Sequence, residues 1–142
     1  MGDVKATEYP DHVAPRDFNL VVQTGSTIPV AAIIPWFITS KSEWMDDLKY
    51  AVQVGGGVGA AVLTLKMAPT SITLDAGTTL ATLTDLGAIV GGALTSATKA
   101  NTNGFSRIRI PANYQVGFVV SGAELPATLA LCVMGLFRQK AQ

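Results

Sequence analysis

Residues 105–138 read FSRIRIPANYQVGFVVSGAELPATLALCVMGLFR, and the fold turns on how this stretch is read. Two apolar segments flank Pro111-Ala112-Asn113, and a third follows the polar break Ser121-Gly122-Ala123-Glu124. Tyr114, Val116, Phe118 and Val120 share one parity, the two-residue period of a half-buried strand. Leu129, Leu131, Val133 and Phe137 do the same in the last segment, where the opposite parity is apolar as well. A strand that is apolar on both faces belongs inside a packed sheet or against another chain. Helix competes over 125–139: Pro126 sits near a first turn, and Arg138 and Lys140 at the C-terminal end suit the helix dipole. The turn at Gly122 and the break at Gly135 favour strand, and the expectation is a closing hairpin.

Working outward, the rest of the chain carries short strand-like runs at close spacing, separated by Gly, Pro, Asn or Ser. They are Phe18 to Gln23, Ile28 to Thr39, Lys49 to Lys66, Ser71 to Leu74 and Thr79 to Thr82. Pro29 and Pro35 restrict the second of these to extended or edge geometry. Lys49 to Lys66 reads as a hairpin with the tip Gly55-Gly56-Gly57-Val58-Gly59. Ser71 to Leu74 and Thr79 to Thr82 read as strands about the turn Asp75-Ala76-Gly77, and Trp44 to Leu48 as a single helical turn. Eight or so strands at this density predict an all-β fold, an antiparallel β-sandwich of jelly-roll type. Residues 1–16, polar and proline-bearing, form an expected extended N-terminal arm, and residues 17–142 a single β-sandwich domain.

Composition narrows the function classes. Of 142 residues, 49% are hydrophobic and 14% charged, against roughly 25% charged in an average soluble domain. Between Met67 and Ser106 the charges are Asp75, Asp85 and Lys99 alone. So little charge predicts that other subunits cover much of the exterior. Ten basic and ten acidic residues cancel, so no net field favours nucleic acid or an anionic membrane. The longest apolar runs, Ile28 to Ile38 and Ala127 to Phe137, are shorter than the roughly 20 residues of a spanning helix. The polar N-terminal sequence has no secretory-signal pattern.

Chemistry-bearing patterns are few. Gly55, Gly57 and Ala60 follow the apolar run Ala51 to Val54 and satisfy G-x-G-x-x-G/A, with Asp75 twenty residues beyond Gly55. In a Rossmann unit the glycines admit a pyrophosphate to a helix N-terminus and the acid binds the ribose. Here the required helix, Val58 to Ala68, alternates like a strand and is cut by Pro69, so the dinucleotide-binding reading stands second to a glycine-tipped turn. His12 is the sole histidine and lies in the arm; a catalytic triad or a typical zinc site would need it. Glu43 with Asp46-Asp47 lacks the spacing of a calcium loop. No catalytic residue, cofactor or metal is expected. Cys132, the single cysteine, excludes an intrachain disulfide. It shares a face with Met134 and Leu136, and these three, with Trp36 on a proline-marked edge and Arg107 and Arg109 on one strand face, are the expected subunit-interface residues.

The proline-bearing arm, the Thr/Ala/Gly-rich short strands, the scarce charge and the two-faced ending together resemble small virion proteins of tailed bacteriophages. The likeness is to head decoration, or cement, proteins with a jelly-roll or β-sandwich body. IRIPANYQVGFVVSG followed by ATLALCVMGLF is similar to the last two strands of such proteins. The resemblance covers about half the chain and contains no signature motif, so no residue role is carried over. It implies a non-enzymatic homo-oligomer, often a trimer, located in the virion on a major capsid protein, with the arm reaching between subunits. A tail or adhesin β-sandwich subunit is the other structural alternative.

Overall fold

A computed structural model describes residues 16–54, 60–84, 86, 94–99 and 108–139. The strands are β1 (Arg16–Gln23), β2 (Ile33–Ile38), β3 (Glu43–Val54), β4 (Val62–Pro69), β5 (Thr78–Leu83), β6 (Thr95–Ser96), β7 (Thr98–Lys99), β8 (Ile108–Ile110), β9 (Tyr114–Ser121) and β10 (Ala130–Gln139). One sheet runs β1-β10-β3-β6, with β8 also on β3; the other runs β2-β9-β4-β5-β7. All of these pairings are antiparallel.

The order has a simple origin. β1 pairs with β10, β2 with β9, β3 with β6 and β8, and β4 with β5. A long antiparallel ribbon with those rungs, rolled until β10 meets β3 and β9 meets β4, gives the two sheets. That is the jelly roll, and the all-β sandwich expected from strand density is the observed fold.

The strands agree with expectation more than their pairings do. β9 and β10 are both strands, so the helical alternative over 125–139 falls. They lie in different sheets, however, and form no closing hairpin. The same correction applies to Lys49 to Lys66, whose halves are β3 and β4, one in each sheet. Alternation reports which face is buried, not which neighbour a strand bonds, and a rolled ribbon sends consecutive strands to opposite sheets.

Trp44 to Leu48 is strand, not a helical turn. Leu136 stands opposite Asp47 and Phe137 opposite Met45, so Asp46 is the extra residue of a bulge, and that broke the period in the sequence. Ser71 to Leu74 is not a strand either: a 3-10 turn spans Leu74–Ala76, and Leu74 is buried with Ala68 and Val119. Among the described residues β2 is an edge strand, as its prolines required. β1 already begins at Arg16, one residue before the expected domain boundary, and the arm at 1–15 lies outside the described residues.

The core fills the space between the sheets, with Met45, Leu48, Leu63, Leu65, Leu80, Leu83 and Ile110 fully buried. One end is aromatic. Phe18 and Phe137 from one sheet meet Trp36, Phe37 and Phe118 from the other, with Phe18–Phe37 centroids 4.6 Å apart and Trp36 stacked on Phe118 at 5.5 Å. Gly135 makes this possible: a Cβ there would lie 2.7 Å from the Trp36 ring and closer still to Phe137.

Two threonines tie the rungs at their ends. Thr24, just after β1, donates its hydroxyl to Pro126 O (2.6 Å) and accepts Leu129 N–H (3.0 Å). Thr39, just after β2, donates to Pro111 O (2.7 Å) and accepts Tyr114 N–H (3.0 Å). Each clamps the loop that leads into its strand's own ribbon partner. Asn113 in the second loop adopts φ 62°, a conformation asparagine tolerates.

Gly135→Ala should overpack the aromatic end and cost about 1–3 kcal/mol in urea denaturation. Thr24→Val and Thr39→Val each leave a carbonyl and an N–H without the hydroxyl, and each should cost about 1–3 kcal/mol by the same measurement.

Candidate assembly surface

The outward side of the β1-β10-β3 sheet can be read rung by rung. Val21 stands opposite Cys132, which stands opposite Ala51; Asn19, Met134 and Lys49 form the next rung, and Asp17, Leu136 and Asp47 the one after. In β1 the odd residues 17, 19, 21 and 23 are all exposed while Phe18, Leu20 and Val22 face the core. In β10 the roles are reversed: Leu131, Val133 and Phe137 are buried, Cys132 and Met134 exposed, and Leu136 half-buried. Leu94, beside the short strand β6, adds to the same side. Val21 is 67% exposed, Leu94 62% and Met134 37%. A depression of about 230 Å³ is lined by Val21, Ala51, Leu94, Cys132 and Met134 together with the Lys49 stem. It is an apolar strip across three strands.

Charged side chains flank the strip: Lys49 stands beside Met134, and Asp17 and Asp47 stand on either side of Leu136. Arg138 Nε donates to Asp46 Oδ2 at 3.0 Å, Lys49 lies 3.8 Å from Asp47, and Lys99 donates to the Asp46 carbonyl. Arg16 pairs with Glu43 and rests its guanidinium 4.7 Å from the Phe18 ring. Glu43 is 1% exposed, and its Oε1 has no hydrogen-bond partner among the described residues. Burial raises the Glu43 pKa, while the charge and the hydrogen bond of Arg16 work in the opposite direction without overcoming it.

The expected interface residues separate into groups. Cys132, Met134 and Leu136 share the outward face of β10. Arg109, on β8 opposite Trp44, donates to Ser42 Oγ at 3.0 Å. Trp36 belongs to the other sheet, where its ring packs on the core and borders an open cleft of about 390 Å³ with Pro35, Ile38, Leu74 and Gln115. Arg107 and His12 lie outside the described residues. Val21, Ala51 and Leu94 join Cys132 and Met134 on this face without having been expected there; the run Leu20-Val21-Val22 carries a signal, since consecutive apolar residues in a strand cannot all face one core.

Of the dinucleotide pattern, Gly55 and Gly57 lie outside the described residues, Ala60 is an exposed turn residue, and Asp75 sits in the 3-10 turn. The segment required to be its helix contains β4, so the Rossmann reading is corrected. Among the described residues, no three His, Cys, Asp or Glu side chains are grouped to hold a metal, and no helix is long and apolar enough to cross a membrane.

No protein-family model matches the chain, and no curated protein matches it. Among solved structures it is similar to the infectious bursal disease virus VP2 subviral particle, with a TM-score of 0.35 and 15% identity. The match covers 90% of this chain and 38% of that one, so this chain spans well under half of its length.

A carboxyl group with a raised folded-state pKa binds its proton more tightly in the folded protein. Its contribution to stability is then fullest below the ordinary carboxylate range and falls as pH rises through the folded value. The urea midpoint of the wild type, relative to Glu43→Gln, should therefore decline as pH is raised from the ordinary value of 4.5. An unchanged difference from acid to neutral pH would show that Arg16 cancels the burial penalty.

Proposed function

We propose that this chain is a non-enzymatic structural protein of a virion, a decoration or cement subunit that associates with copies of itself and with a major capsid protein. The observation that carries the reading is the apolar strip on the outward face of a jelly-roll sheet, centred on Cys132, Met134 and Leu136 and bordered by Lys49, Asp17 and Asp47. Val21, Ala51, Leu94, Cys132, Met134 and Leu136 gain roughly 25 cal/mol for each Å² of apolar surface removed from water. A standard interface engages about 20–30 residues a side, so six side chains bind weakly in dilute solution and firmly only where many copies are held side by side. Such a contact suits a lattice.

The experiment is co-sedimentation with purified particles of the source virus, with mass spectrometry of the pelleted proteins. The wild type is expected in the pellet. Met134→Lys, which places an ammonium in the strip's centre, should reduce its occupancy about tenfold while the strand signal in circular dichroism stays unchanged. A wild-type protein that never pellets with particles overturns the reading. Collapse of the fold in Met134→Lys would identify that face as core.

A further inference from the structure

β1 is the outermost strand of its sheet: β10 holds one edge, and among the described residues no strand pairs with the other. The ladder determines what that open edge presents. Thr24 donates its backbone N–H to Leu129 O at 3.0 Å, continuing the register in which Val22 faces Leu131, Leu20 faces Val133 and Phe18 faces Gly135. In an antiparallel pair, residues that exchange bonds with the partner strand alternate with residues whose N–H and C=O point away. The even-numbered residues therefore bond to β10. Asp17, Asn19, Val21 and Gln23 turn their backbone groups to the open edge.

Natural sheets blunt such an edge with proline, lysine or a bulge. β2, the open strand of the other sheet, carries Pro35 and a register shift beside it. β1 reads RDFNLVVQ, keeps an unbroken register over eight residues, and has no proline or lysine.

We propose that β1 pairs with β1 of a second copy of this chain, antiparallel about a two-fold axis that passes beside Leu20. The proposal rests on the self-association in the reading above and names its contact. One register engages all four outward residues of both strands: Asp17 opposite Gln23 and Asn19 opposite Val21, with Leu20 facing Leu20 of the second copy. Four bonded pairs, each exchanging two N–H···O bonds, satisfy the whole edge. No like charges stand opposite one another, whereas an in-register parallel pair would set Asp17 against Asp17 and Arg16 against Arg16. That self-complementarity selects a second copy over an unrelated strand. The apolar strip also reaches the edge at Val21, so the two-fold joins two strips into one band across both copies.

Val21→Pro deletes an outward N–H and leaves the β10 ladder whole, whereas Leu20→Pro removes a ladder bond. Analytical ultracentrifugation should find the wild type in even-numbered species. Val21→Pro should raise the dimer Kd about tenfold or more at an unchanged thermal midpoint, and Leu20→Pro should lower that midpoint. If Val21→Pro fails to fold, Asn19→Cys with Val21→Cys, in a Cys132→Ser background, tests the same register. Paired residues on bonded rungs are about 5.5 Å apart at Cα, within disulfide range, so the double variant should oxidise to a covalent dimer and either single variant should not. A strict monomer or trimer, a Val21→Pro dimer of wild-type affinity, or absence of the cross-link overturns the proposal. A monomer that still enters particles overturns the edge and spares the virion reading; a Val21→Pro-sensitive dimer that never enters particles does the reverse.

Discussion

The fold depends on where β10 lies. It is hydrogen-bonded along both edges, to β1 and to β3, so without it the first sheet has no middle. Its inward side chains, Leu131, Val133 and Phe137, belong to the core, and Gly135 yields the volume that the aromatic rings of the opposite sheet occupy. Its outward side chains are the centre of the apolar strip. Core packing and surface character are thus written on alternate residues of one strand, and a change that shifted its register by a single residue would exchange them.

Charge supports this arrangement by its placement. The Arg16–Glu43 and Arg138–Asp46 pairs lie at the end of the sheet where β10 finishes. Burying Glu43 carries a cost, visible in its raised pKa, yet the pair ties the first strand to the third across β10. Among the described residues these two pairs hold strand ends together, while Lys49, paired with Asp47 within β3, borders the apolar strip beside Met134.

Much of this was legible in the residues. The parity of Val116, Phe118 and Val120, and of Leu131, Val133 and Phe137, told which sides are buried; Pro35 told that β2 is an edge. Strand partners were not legible, because alternation is the same whether neighbours bond or part. The bulge at Asp46 imitated a helical turn, and Leu74 followed a strand-like run although it belongs to a turn folded over the second sheet. The outward face of β10 was readable from Cys132, Met134 and Leu136. Its extension through Val21, Ala51 and Leu94 needed the register, which brings together residues far apart in the chain.

The ribbon also grades its rungs by the chain entropy each costs to close. Lys66 and Thr79, on the β4–β5 rung, are 13 positions apart, whereas Arg16 and Phe137, on the β1–β10 rung, are 121 apart. Closing the longer loop directly costs about 2 kcal/mol more in chain entropy, and distant pairings of this kind slow folding. Closure is cheapest when it runs outward from β4 and β5, each rung shortening the loop left for the next. On that ordering the β1–β10 rung closes the longest loop of the ribbon, and the open edge of β1 belongs to the pairing that chain entropy favours least until the inner rungs are in place.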